Sequence, residues 1–288
     1  MLKYLIIIDL CIEIIKFDLF TIFFNKRMAS VAIIVPFRIQ IGQNREWELQ
    51  EFTSYMTKYM NQLLKHDKIK KFHIYVIEQN YGKKFNRGML LNIGFHLTNE
   101  LYDTFIFHDV DLLPDKNIRN YYSIKPEYKK IYISQPNDIT IMKRKGPIHI
   151  GACWRDRYTG HGYLGGVISF NKEMFKEING FPNIFWGWGG EDDALRERCI
   201  MNKIIPKKIG PAGKINDIEK DNFGNKMNLE EKLQFLKKNN DWKCHDKWEC
   251  REHDKMNWKN DGYNNINEYY KIDEWETNYD MTKIKVCV

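Results

Sequence analysis

Residues 31–37, Val-Ala-Ile-Ile-Val-Pro-Phe, form an unbroken apolar run rich in β-branched side chains. A run without a polar face predicts a strand buried on both sides, as in a parallel sheet covered by helices. Over residues 46–64 the period changes: Trp47, Phe52, Tyr55, Met56, Tyr59, Met60 and Leu63 recur at the three-and-four spacing of an amphipathic helix. Residues 72–77 predict a second strand, 87–101 a second helix and 104–108 a third strand. This β-α-β-α-β order predicts an α/β fold with a doubly wound sheet that binds ligands at the carboxyl ends of its strands. Further strands are expected at 130–134 and just after the paired glycines Gly165 and Gly166, and a helix that begins with residues 229–233.

The longest apolar stretch, residues 5–24, is interrupted by Asp9, Glu13, Lys16 and Asp18. At roughly 2.5–3.5 kcal/mol per charge near the bilayer centre, it makes a poor membrane span. Residues 1–30 are therefore expected to be an N-terminal extension, with a degenerate signal anchor as the alternative. A soluble cytoplasmic protein is favoured, and membrane association stays open.

A hydrophobic content of 43% over 288 residues excludes a disordered chain. The 45 Lys+Arg against 38 Asp+Glu leave a net charge of +7, dispersed as single lysines and short pairs. That pattern argues against a nucleic-acid partner and leaves room for one anionic ligand. The cysteines are scattered without a C-x-x-C, and Cys244 and Cys250 with His245 and His253 fit no common zinc spacing.

Chemistry concentrates at three places. The third strand runs into Asp109-Val110-Asp111. Carboxylates at the end of a buried strand want a cation, such as a divalent metal bridging to phosphates, unless they serve as a turn or cap. Around Gly165-Gly166 the backbone must approach something closely, either a bound sugar or a neighbouring strand. The densest run is 179–193, where Trp186 and Trp188 alternate with Gly187, Gly189 and Gly190 before Glu191-Asp192-Asp193. Acids at a helix start gain from its dipole, but a stacking face beside acid/base groups is also what carbohydrate chemistry needs.

Taken together, residues 31–38, Phe85-Asn86-Arg87, 91–95, Asp109-Val110-Asp111, 163–166 and the run from Gly180 to Asp193 resemble the β-1,4-galactosyltransferase family in order and spacing. The resemblance spans residues 31–200. It implies a GT-A fold with a mostly parallel central sheet, a nucleotide-binding half over 31–115 and an acceptor-binding half over 116–288. It further implies a UDP-galactose donor, a terminal sugar acceptor, a β-1,4 linkage, inversion at the anomeric carbon and Mn²⁺ dependence. Position by position, Pro36, Phe37, Arg38, Phe85 and Arg87 correspond to the nucleotide and diphosphate site, Asp109 to the ribose side and Asp111 to the metal ligand. Tyr163 corresponds to the residue that selects galactose over N-acetylgalactosamine, with Gly166 beside it. Trp188 corresponds to the closing tryptophan, Asp192 with Glu191 to the catalytic pair, and Asp193 and Gly190 to the acceptor site.

The chain also departs from the family. Ala194 replaces a third aspartate. The second metal segment, with methionine and histidine three residues apart in the family, falls on residues 214–220 and offers Glu219 and Asn216, with Asp217 as the alternative. Oxygen ligands make a harder site that tolerates Mg²⁺ as well as Mn²⁺. No N-acetyl pocket is recognisable after Asn228, so xylose or glucose competes with N-acetylglucosamine as acceptor. Residues 242–258 read as an insertion. The rival readings are transfer of another UDP-hexose, such as UDP-GalNAc, extension of a polysaccharide, and a catalytically silent carbohydrate-binding module.

Overall fold

The structure is a computed structural model that describes residues 28–40, 42–80, 83–127, 130–133, 141–154, 164–210, 213–228, 230, 231, 234 and 246–288, with the backbone alone for 130–133 and 141–145. The apolar stretch at 5–24 and most of the 229–233 helix lie outside these residues. Among the described residues no helix is long and apolar enough to cross a membrane.

Strand β1 (Ala29–Phe37) is central and pairs in parallel with β2 (Ile69–Gln79) on one side and β3 (Thr104–His108) on the other. Its side chains alternate between two cores. Val31, Ile33 and Val35 face helix α1 (Arg45–Lys65), meeting Phe52, Met56 and Met60. Ala32 and Ile34 face helix α2 (Arg87–Thr98), meeting Leu90, Leu91 and Phe95. The unbroken apolar run follows directly, because both faces of the strand are covered.

Helix α1 and strand β3 fall on their predicted bounds to within a residue, α2 ends three residues early, and β2 extends beyond its predicted ends. Short β4 (Leu112–Pro114) follows β3, then β5 (Lys130–Ile133), β6 (Ile141–His149) and β7 (Val167–Asn171). Helix α3 (Lys172–Glu177), helix α4 (Glu191–Met201), β8 (Ile204–Lys208), β9 (Ile215–Asp217), helix α5 (Lys247–Asn257), β10 (Lys271–Thr277) and β11 (Met281–Cys287) complete the order. The large sheet runs β10-β11-β2-β1-β3-β7-β6-β5, with β8 on β6, and β4 pairs β9 separately. The parallel centre is β11-β2-β1-β3; β7, β6, β5 and β10 join by antiparallel pairing, and β8 lies parallel to β6. Doubly wound topology thus holds at the centre, and antiparallel strands extend both flanks.

One close approach sets the position of α2. A Cβ on Gly94 would come 2.3 Å from Ile34 Cγ2 and 3.1 Å from Ile77 Cγ1, so the helix backbone rests on the sheet. Gly94→Ala is expected to cost about 1–3 kcal/mol by overpacking, measured as a lower denaturation midpoint with an unchanged m-value.

Candidate active site

The cleft opens at the carboxyl ends of β1 and β3. It encloses about 280 Å³ and is lined by Pro36, Phe37 and Arg38 after β1, Phe85 and Arg87 before and within α2, Asp109 and Asp111 after β3, Gly166, and Trp188 through Asp193. All of these were named from the sequence. Tyr163 lies outside the described residues. Unanticipated wall residues include Arg45, Trp154 and Lys247.

The nucleotide side is built on the start of α2. Asn86 caps the helix, accepting from the Met89 N–H at 2.9 Å, and its own N–H donates to Gln79 Oε1 at 2.9 Å. That fixes Arg87, whose Nε donates to Asp109 Oδ1 at 2.7 Å and whose Nη1 lies 3.5 Å from Glu191 Oε1. Arg87 Nη1 and Nη2 and Glu191 Oε2 are buried without hydrogen-bond partners among the described residues. Buried orphan donors of this kind are rare unless a ligand completes them, and a guanidinium aimed into a cleft calls for an anion. Burial draws the Arg87 pKa down, but Asp109, Glu191 and Asp192 outweigh it and hold the group charged. Arg38 donates to the Lys83 carbonyl and lies 5.7 Å from the Phe85 ring centroid, leaving a flat aromatic edge at the cleft.

Beneath Asp109 and Asp111 lies His108, which is fully buried. Its Nδ1 is 2.8 Å from the Asp109 carbonyl and its Nε2 2.9 Å from the Tyr122 hydroxyl. A carbonyl can only accept, so Nδ1 carries the proton and Nε2 accepts from Tyr122. Burial pushes the His108 pKa down to about 4, so the ring stays neutral and acts as a fixed support.

Strand β9 brings the second acidic segment to Asp111. Leu112 pairs with Asp217, and the Ile218 N–H donates to the Asp111 carbonyl at 2.8 Å. One carboxylate oxygen from each of Asp111, Asp217 and Glu219 lies within 4.8 Å of the others. Asn216 pairs with Leu113, on the opposite face of the strand by alternation, and is exposed. Of the two residues the sequence offered beside Glu219, the structure brings Asp217, the alternative, to Asp111 and sets Asn216 apart from them. Three carboxylate oxygens converging at a largely buried point suit a hard divalent cation, and the donor set fits Mn²⁺ or Mg²⁺.

At the opposite wall, positive φ angles at Gly187, Gly189 and Gly190 of 92°, 92° and 103° turn the chain into α4. A Cβ on Gly190 would lie 2.7 Å from the Phe185 ring, and the Gly187 N–H donates to the Phe85 carbonyl at 2.8 Å. The turn therefore presents Trp188 outward, 41% exposed, while Glu191 is buried. Desolvation and the Glu191 charge push the Asp192 pKa up to about 7. Glu191 is likewise raised by burial, against the pull of Arg87. Ala194 is fully buried against Phe185, so an aspartate there would be desolvated without an evident partner.

Helix α5, within the region read as an insertion, closes this wall. Arg198 of α4 is fully buried, its Nη2 2.5 Å from Asp254 Oδ1 and its Nε 3.1 Å from Asp254 Oδ2. Lys247, at the start of α5, is thereby held with Nζ 4.3 Å from the Trp188 ring centroid.

Two family profiles match the chain: the N-terminal region of glycosyl transferase group 7 over residues 25–125, and the N-terminal domain of galactosyltransferase over residues 147–221. The chain belongs to the β-1,4-galactosyltransferase family. Human beta-1,4-galactosyltransferase 4 is 36% identical over 209 residues, covering 71% of this chain and 53% of the relative. Mouse beta-1,4-galactosyltransferase 1 is 38% identical over 173 residues, covering 59% and 37%. The chain thus spans about half the length, or less, of these curated relatives. A mutant of Drosophila β1,4-galactosyltransferase 7, solved with manganese, UDP-Gal and xylobiose, superposes with a TM-score of 0.60 at 26% identity, covering 90% of this chain and 94% of that one. The GT-A glycosyltransferase architecture follows from that match.

Proposed function

We propose that this galactosyltransferase family member moves galactose from UDP-galactose to a hydroxyl of an acceptor sugar, forming a β-1,4 linkage with inversion. The observation that carries the reading is that one cleft is lined by both Asp192 and Asp111, the latter one of three carboxylates that converge as a cation site would require. The Drosophila relative's complex with UDP-Gal and xylobiose supports a sugar nucleotide donor and a glycan acceptor.

Asp192 accepts the proton of the acceptor hydroxyl as its oxygen bonds to the anomeric carbon. The bond from that carbon to the diphosphate breaks in the same displacement, and UDP leaves with the bonding pair. Arg87 lines the cleft, its Nη1 and Nη2 make no hydrogen bond among the described residues, and it binds the diphosphate as its charge grows. A divalent cation held by Asp111, Asp217 and Glu219, Mn²⁺ as in that relative or Mg²⁺, would offset the remaining charge of the leaving group. Trp188 and the glycine turn beneath it cover the sugar pair and exclude water, which guards the donor against hydrolysis.

The test is UDP release from UDP-galactose, UDP-N-acetylgalactosamine and UDP-glucose, with Mn²⁺ or Mg²⁺ and with xylose, glucose or N-acetylglucosamine. Release from UDP-galactose that rises with one acceptor supports the reading. Sugar binding without release from any donor would replace it with a silent carbohydrate-binding module. Asp111→Ala is expected to weaken metal-dependent UDP binding by at least about tenfold in calorimetry, and EDTA to do the same to the unaltered protein.

A further inference from the structure

Arg45, the first residue of α1, sits inside the acidic cluster. Its Nη1 lies 2.7 Å from Glu48 Oε2 and 3.5 Å from Asp111 Oδ2, and its Nη2 lies 3.4 Å from Glu219 Oε1. Its Nε donates to Gln43 Oε1 at 2.8 Å, and Gln43 in turn donates to Glu219. The Arg45 side chain is 15% exposed, and those of Glu48 and Glu219 are 0% and 1% exposed. Two of its three carboxylate partners are residues that the metal reading assigns to the ion. Buried carboxylates packed this closely repel one another unless a cation sits among them, and here the guanidinium is that cation.

We propose that Arg45 is a built-in competitor of the divalent ion: a positioning residue that holds the cluster together without metal and releases Asp111 and Glu219 when metal enters. The proposal rests on the metal reading of the site. A guanidinium left on both carboxylates would face a doubly charged ion at close range in a poorly solvated pocket. Glu48 gives it a place to remain, because the shorter contact involves a carboxylate outside the cluster. Metal therefore binds the nucleotide-free protein more weakly than the three carboxylates alone would allow. A diphosphate brings negative charge to both cations and relieves the conflict, so nucleotide and metal bind with positive coupling that Arg45 enlarges.

The test is calorimetric titration of the full chain with Mn²⁺, with and without UDP. Arg45→Met combined with Glu48→Gln removes the cation together with the carboxylate that holds it outside the three-carboxylate cluster, leaves the net buried charge unchanged, and keeps a side-chain oxygen to accept the Lys220 N–H that Glu48 Oε1 accepts at 3.1 Å. This variant is expected to bind Mn²⁺ without UDP at least about tenfold more tightly than the unaltered protein, and to lose a similar factor of the UDP coupling. Arg45→Lys, which keeps the charge but not the fork, is expected to fall between them. Mn²⁺ affinity equal to or below that of the unaltered protein in both variants overturns the proposal. Asp111→Asn separates the two levels: if it leaves Mn²⁺ binding unchanged, the metal reading itself fails, whereas if it abolishes binding, only the competition is under test.

Discussion

Asp192→Asn is expected to lower galactosyl transfer about a thousandfold while leaving UDP affinity within twofold. Asparagine keeps the shape of the side chain but cannot take the acceptor proton. In the unaltered protein the rate should rise with pH through about 7, where Asp192 becomes a carboxylate, and this limb should be missing from the residual activity of the variant. Stability should move the other way. Because the folded-state pKa lies above the ordinary value of 3.8, the native protein holds this proton when the unfolded chain has lost it. The stabilisation is full below pH 3.8 and is lost as pH rises to about 7. At pH 8 Asp192→Asn should therefore be about 1–2 kcal/mol more stable than the unaltered protein, a figure discounted for the partial exposure of the side chain. Loss of UDP binding equal to the loss of transfer would remove Asp192 from the role of base.

Asp254→Ala is expected to destabilise the protein by about 3–5 kcal/mol, because it leaves the fully buried Arg198 guanidinium without its carboxylate. Arg198 also donates to the carbonyls of Asn179, Gly180 and Asp261, so the charge cannot simply swing to solvent. Replacing both partners, as Arg198→Met with Asp254→Leu, should recover part of the loss, since it removes the uncompensated charge while the carbonyls of Asn179, Gly180 and Asp261 lose the Arg198 donors. Chemical denaturation of the single and double variants gives the comparison. A single variant within 1 kcal/mol of the unaltered protein would show that the pair contributes little. The pair also joins α5 to α4, so the damaged variant should lose the Lys247 contact on Trp188, read as a shift in tryptophan emission.

The elements with a clear period were legible in the chain. Helix α1 matches its expectation to within a residue at each end, and β3 matches at both ends. Strand β10 was not legible, because all seven of its residues are exposed and it carries no apolar face to read. Strand β9 was hidden for another reason: three residues are too few to show alternation. In the site, Asp111 and Asp192 stood out by their place, one after a buried strand and one after a glycine turn, although a turn or a helix cap would account for acids there as well. Choosing between Asn216 and Asp217 needed the pairing of β9 with β4, which fixes the face of each side chain and which spacing alone does not supply. Arg45 and Glu48 left one signal, a glutamate four residues before Phe52 on the apolar face of α1. Lys247 left none, since its place depends on the buried contact of Arg198 with Asp254.

Strand β11 lies parallel beside β2, with Ile284 opposite Ile77. During synthesis β1, β2 and β3 emerge together, yet the outer edge of β2 finds its partner only about two hundred residues later, a separation that slows pairing. For that interval the nascent sheet carries an open, apolar edge, including Ile74, Val76 and Ile77, suited to unwanted pairing with another chain. Versions of this protein shortened before Met281 should accordingly aggregate as they are made, although every residue of the cleft would be present in them.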